Sequence, residues 1–143
     1  MSTVGRVRDA MIAEPRALPG TASAQEAGEI LSPAEVRAVY VVDADGALTG
    51  VLTRKTLVAE VVAGGLDPRT TQIGGIAEEP LYTLDADTPL DDAFRFLEEN
   101  DAERVPVVER GRLVGVLSRS VLGRRLAEDE EPDEQTDETL ERG

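Results

Sequence analysis

The sequence predicts an α+β fold in which two copies of one strand–helix–strand–strand–helix unit pack as a pseudo-twofold pair. Three observations carry this prediction. The segment Val39-Tyr40-Val41-Val42-Asp43 through Gly50-Val51-Leu52-Thr53-Arg54 recurs as Val105-Pro106-Val107-Val108-Glu109 through Gly115-Val116-Leu117-Ser118-Arg119. The offset is 66 residues before the internal turn and 65 after it, so the second turn is one residue shorter. Upstream of each copy, apolar residues recur at the same 66-residue offset, with Leu18, Ala27 and Leu31 answering to Leu84, Ala93 and Leu97.

Each element has a local reason. Ser23-Ala24-Gln25-Glu26 is a capping box, and Ala27, Ile30 and Leu31 continue the apolar stripe of the helix it opens. Thr88-Pro89-Leu90-Asp91 reads as the second copy's helix start: a hydroxyl cap, proline in the first position, and an acid near the free amides. Leu90, Ala93, Phe94 and Leu97 then form its stripe. Two β-rich runs follow each helix, separated by Ala44-Asp45-Gly46 in the first half and Arg110-Gly111-Arg112 in the second, which is a hairpin signal. A further helix is expected over residues 54–63 and again over residues 119–127, the first ended by Gly64-Gly65. One such unit has a single sheet face and two helix stripes to bury, so two copies packed sheet against sheet around a shared core are expected.

The chain therefore divides into a first repeat (1–65), a linker containing Pro68 (66–72), a second repeat (73–127) and an acidic tail (128–143). The tail carries nine acidic residues against one arginine, with Leu140 nearly its only apolar residue, and is expected to be disordered.

Composition narrows the function. Cysteine and histidine are both absent, which excludes disulfides, a thiolate nucleophile, an imidazole base and a Cys/His zinc site. A formal charge of −14 disfavours nucleic acid and anionic membrane as partners. No apolar run approaches a membrane span, and residues 1–6 lack the pattern of a secretory signal, so the expected location is cytoplasmic. The acidic pairs Asp43/Asp45, Glu78/Glu79 and Asp85/Asp87 are discounted as acid–base couples, the first and last being explained by a hairpin turn and a helix start. The expectation is a protein that is not an enzyme.

The Val-Pro-Val-Val-Glu run, the Arg-Gly-Arg turn and Leu-Val-Gly-Val-Leu-Ser resemble the CBS domain, and two in tandem resemble a Bateman module. The resemblance extends from about Val4 to Ala127. It implies a regulatory module that dimerises and binds adenine nucleotides such as AMP or ATP, or S-adenosylmethionine, between its motifs. It also implies a nucleotide signature: glycine, two apolar residues, Ser or Thr, two residues, then Asp. The hydroxyl would meet a phosphate near a helix start, and the carboxylate would accept from the ribose hydroxyls. Here the two copies read Gly50-Val51-Leu52-Thr53-Arg54-Lys55-Thr56 and Gly115-Val116-Leu117-Ser118-Arg119-Ser120-Val121. Both keep the hydroxyl, and neither keeps the Asp. Thr56 can still make one hydrogen bond there; Val121 cannot.

The candidate ligand-binding residues are therefore Thr53, Arg54, Lys55 and Thr56 in the first copy and Ser118 and Arg119 in the second. Arg37 and Arg104 join them because they precede the Val39 and Val105 strands, a neighbourhood that borders the cleft in the family. A solvated first turn is the competing placement for Lys55, the chain's one lysine, because a cation there opposes the helix dipole. Tyr40 and Tyr82 are aromatic candidates for stacking on a base, with core or rim packing as the alternative. The reading is a regulatory, ligand-sensing module that acts on an unidentified partner and forms a homodimer through an apolar helix stripe of Val58, Val61 and Val62. The alternative is a structural or protein-interaction module with no nucleotide bound.

Overall fold

The computed structural model of the chain describes residues 5–127. The acidic tail, 128–143, lies outside the described residues. Element order is α1 (Val7–Ala10), β1 (Ile12–Ala13), β2 (Ala17–Pro19), α2 (Ala24–Leu31), β3 (Val39–Val42), β4 (Leu48–Leu52) and α3 (Arg54–Thr56). Helix α3 continues as a π-helical stretch, Leu57–Val62, and a 3-10 turn follows at Ile73–Gly75. The second half holds β5 (Leu84–Asp85), α4 (Leu90–Glu99), β6 (Arg104–Glu109), β7 (Arg112–Ser118) and a helix over residues 119–127, here α5.

Both repeats show the expected strand–helix–strand–strand–helix order. Strand β2 pairs parallel to β3, and β3 antiparallel to β4; β5, β6 and β7 repeat that arrangement. The hairpin turns form as their residues dictate. In the first, the Asp43 carboxylate accepts from the Asp45 and Ala47 amides at 2.9 Å, and Gly46 takes φ +86°. The second is a two-residue loop with both Arg110 (φ 55°) and Gly111 (φ 82°) left-handed, the geometry that matches strand twist. The hairpins also touch: Leu113 N–H donates to Gly46 O at 3.0 Å, and Arg112 Nε donates to Asp45 O at 2.7 Å.

The segment leading into each repeat docks on the other repeat. Strand β1 joins β7 antiparallel, with Ile12 opposite Val116, while Glu78 bridges Val51 of β4. The hydrogen bonds around this exchange recur at the 66-residue offset. Val7 N–H donates to Thr88 O and Arg8 N–H to Ala86 O; Ile73 N–H donates to Ala22 O and Gly74 N–H to Gly20 O. In the reverse direction, Leu90 N–H donates to Gly5 O and Ala24 N–H to Thr71 O. The pseudo-twofold relation is thus visible bond by bond.

Three sequence expectations change. Helix α2 has the expected capping box, Ser23 Oγ accepting from Glu26 N–H and Glu26 Oε1 from Ser23 N–H, each at 3.1 Å. Helix α4 does not use Thr88 as a cap: Pro89 is the N-cap residue, without a side-chain bond, and the incoming Gly5 carbonyl takes the first free amide instead. The core is divided rather than shared. One buried cluster joins Val7 to Leu84, Leu90, Ala93, Leu97, Val105, Val107, Leu117 and Leu122, and two others fill the first repeat with Ala27, Val41, Leu52, Ile73 and with Leu31, Val36, Val39. The exchanged segments supply Val7 and Ile73, so the largest cluster of each repeat is closed by the other repeat's lead-in. Finally, Val58, Val61 and Val62 do not share one outward stripe. The π-helical winding, with Ala63 N–H reaching back to Val58 O, turns Val61 inward (5% exposed) and leaves Val58 and Val62 outward at 57% and 72%.

Candidate functional site

The two hairpins and the two exchanged segments leave a pair of related clefts between the repeats. The larger, about 450 Å³, is lined by Thr53 and Val51 of the first repeat, by the exchanged segment from Glu78 to Tyr82, and by Asn100 to Ala102. Arg37, Ala38, Tyr40, Arg104 and Pro106 complete it. The smaller, about 270 Å³, is its pseudo-twofold counterpart, running along Ile12 to Arg16, Glu35 to Ala38 and Val116. Tyr40, Arg37 and Arg104 line both, because they stand where the two sheets face each other.

Arg37 and Arg104 therefore occupy one site, and both are exposed at its mouth. Their charge is set against Glu78, Glu79 and Asp101 on the larger cleft's wall. Tyr40 forms the floor at 5% exposure; burial pushes its hydroxyl above the ordinary tyrosine range, against the opposing pull of the Arg104 charge. The Tyr82 ring is held edge-on to Phe96, centroids 5.4 Å apart, which fixes an aromatic face at the wall.

Of the first motif's candidate ligand residues Thr53, Arg54, Lys55 and Thr56, Thr53 alone lies on the cleft lining, next to the apolar Val51. Its hydroxyl also caps α3, accepting from Thr56 N–H at 3.4 Å, and lies 3.2 Å from the Thr56 hydroxyl. Thr56 is buried beneath it at 5% exposure. Arg54 turns away from the cleft, its Nη2 donating to Pro33 O at 2.6 Å and Val36 O at 2.8 Å. It clamps the loop between α2 and β3. Lys55 is exposed and outside the lining of either cleft.

The second motif is arranged differently. Ser118, 7% exposed, donates to Glu103 Oε2 at 3.3 Å and lies 3.1 Å from the Ser120 hydroxyl. Arg119 pairs with Asp101 at 3.6 Å and Glu103 at 3.8 Å, clamping its own helix-to-strand loop as Arg54 does in the first repeat. Burial alone would raise the Glu103 carboxyl. Hydrogen bonds from the Ser120 side chain and backbone and from Ser118, with the Arg119 charge, outweigh burial and hold it below the usual carboxylate range.

Sequence reasoning missed Glu103 and, although it named Tyr82 as a stacking candidate, did not foresee the exchanged wall from Glu78 to Tyr82. The repeat offset could have found Glu103, since it aligns with Arg37. The wall carried no comparable signal, because its place follows from pairing with a strand of the other repeat.

A family model described as CBS domain matches residues 7–63 and 73–127, the two repeats in turn. Hypoxic response protein 1 of Mycobacterium tuberculosis is 31% identical over 102 residues, covering 71% of each chain. Its crystal structure with two coordinated zinc ions superposes with a TM-score of 0.71 at 28% identity, over 83% of this chain and 97% of the other. The crystal structure of CBSX2 in complex with AMP superposes with a TM-score of 0.70 at 26% identity, over 87% of this chain and 97% of that one.

Proposed function

The chain belongs to the CBS domain family, and on that footing we propose that it is a regulatory, non-catalytic module whose larger cleft binds an adenine nucleotide. One observation carries this reading: a cleft of about 450 Å³ that combines a motif hydroxyl, Thr53, with two arginines, Arg37 and Arg104, beside Tyr40 and Tyr82. The hydroxyl and guanidinium groups suit a phosphate, and the tyrosines suit a purine face. The similar CBSX2 structure holds AMP. Without the motif carboxylate, nothing at Thr56 accepts both ribose hydroxyls, so binding is weaker than a full signature would give. The module acts on a partner through the state of this cleft, as a homodimer joined through the exposed faces of Val58 and Val62.

The zinc of the mycobacterial relative does not carry over. This chain has neither histidine nor cysteine, and among the described residues no three acidic side chains converge. No helix among the described residues is long and apolar enough to cross a membrane.

A second reading is favoured by Thr56, which is buried and spends its hydroxyl on Thr53: a protein-interaction module with an empty cleft. Thermal melts and calorimetry with AMP, ATP and S-adenosylmethionine separate the two. Binding stabilises by mass action, about 2.7 kcal/mol at a ligand concentration of 100 Kd. The nucleotide reading expects this rise for the wild type and its loss in Arg104→Ala. Unchanged melting at millimolar concentrations of all three ligands refutes the nucleotide reading and favours the interaction module. Sedimentation at micromolar protein should give twice the monomer mass; a monomer refutes the dimer.

A further inference from the structure

The two motif hydroxyls stand in opposite situations. Thr53 lines the larger cleft, whereas Ser118, its counterpart 65 residues on, does not line the smaller one. Over Ser118 lies a carboxylate of the chain itself. Glu103 Oε2 accepts from Ser118 Oγ at 3.3 Å and from Ser120 N–H at 3.5 Å, and Glu103 Oε1 is 3.8 Å from Arg119 Nε. The Glu103 carbonyl accepts from Arg119 N–H at 2.7 Å, which anchors the residue where its side chain can reach. A hydroxyl, an amide and a guanidinium are the groups an anionic ligand would use at this motif. In the first repeat the residue at the position of Glu103 is Arg37, which faces the clefts instead.

We propose that Glu103 is an intramolecular anion that fills the second motif, so that the chain takes one anionic nucleotide, in the larger cleft alone. The proposal rests on the nucleotide reading of that cleft. Its physical basis is competition. A tethered carboxylate has an effective concentration on the order of millimolar or more, so an anion that binds the motif no more tightly than a carboxylate does not displace it at micromolar concentration. Any phosphate brought beside it also meets a like charge. The lowered Glu103 carboxyl remains ionised at neutral pH, which keeps this competitor in place.

The test counts AMP by native mass spectrometry and calorimetry on the full chain, with thermal melts to show that each variant folds. Wild type is expected to bind one AMP per chain, and Thr53→Ala to abolish that event while Ser118→Ala leaves it unchanged. Glu103→Gln, which removes the charge, and Glu103→Ala, which removes the group, are expected to gain a second event at least about tenfold tighter than any second event in wild type. Two AMP per wild-type chain overturns the proposal while leaving the nucleotide reading intact. So does a single event lost in Ser118→Ala rather than Thr53→Ala, or a Glu103→Ala protein that folds and still binds one. Should both Glu103 variants fail to melt cooperatively, the Thr53→Ala and Ser118→Ala comparison decides alone. Absence of AMP from every variant, wild type included, overturns the nucleotide reading and this proposal together.

Discussion

Replacing Gly115 with alanine tests the exchange of lead-in segments at its tightest point. A Cβ there would lie 2.5 Å from Met11 Sδ, 2.9 Å from Met11 Cγ and 2.9 Å from the Ile12 carbonyl oxygen. The methionine side chain can swing aside. The Ile12 carbonyl cannot, because it belongs to β1, which is paired to β7 at Ile12–Val116 and Ala13–Gly115. Relief requires β1 to lift from β7 or β7 to buckle, and overpacking of this kind costs about 1–3 kcal/mol. Lifting β1 also loosens Val7, which is fully buried in the second repeat's cluster. The pseudo-equivalent Gly50 is less tight: its Cβ would meet Ala77 Cβ at 3.0 Å and the Glu78 carbonyl at 3.4 Å. Gly50→Ala is therefore expected at the low end of that range, and Gly115→Ala above it. Urea denaturation reads the difference directly, and thermal melts should fall by roughly 2–8 °C per kcal/mol. Hydrogen exchange adds the location, since Gly115→Ala should speed exchange at Met11 to Ala13 before it affects β6. A Gly115→Ala protein as stable as wild type, with residues 11–13 equally protected, would show that β1 does not lie over β7.

Three further outcomes follow from local features. Arg110 holds a left-handed φ of 55° in the second hairpin, so Arg110→Asn, a residue suited to that conformation, is expected to raise stability by up to about 1 kcal/mol in denaturant titrations. Ser23→Ala removes the hydroxyl that accepts from Glu26 N–H and should cost about 1 kcal/mol, measured the same way. At acid pH, Asp87 contributes: its hydrogen bond and ion pair with Arg8 at 2.7 Å hold its carboxyl below the usual range. A depressed carboxyl contributes stability above its unfolded pKa of about 3.9, lost as pH falls through the folded value. Asp87→Asn should therefore narrow its deficit from wild type below about pH 4, and added salt should shrink that deficit at neutral pH because the pair is exposed.

Part of this architecture is written in local residues. The capping box at Ser23 and Glu26, the stripe of Leu90, Ala93 and Leu97, and the Asp-Gly turn at Gly46 act over a few residues. Each is formed much as its own chemistry requires. The internal repeat adds the pseudo-twofold pairing, because two marginal units of one design have matching faces to bury. Arg37, Arg104 and Thr53 are candidates through the resemblance to the CBS domain rather than through the repeat, and the fold brings all three onto one cleft.

What the tertiary structure decided depends on partners distant in sequence. Strand β1 is two residues long, too short for a periodic signal, and its partner Val116 lies in the other repeat. Only the assembled β7 edge selects it. Arg54 has the residue type and position of an anion ligand, yet two loop carbonyls at 2.6 and 2.8 Å take its guanidinium. Those acceptors converge only once α2 and β3 are packed. Glu103 and Arg37 occupy equivalent positions with opposite charge, and folding brings the carboxylate onto Ser118 while leaving the guanidinium at the cleft. The sequence alone determined which groups are present and which turns and helices they form. Three-dimensional packing determined which charged groups are satisfied internally and which remain for a ligand, because a charged side chain takes whichever partners the fold places within its reach.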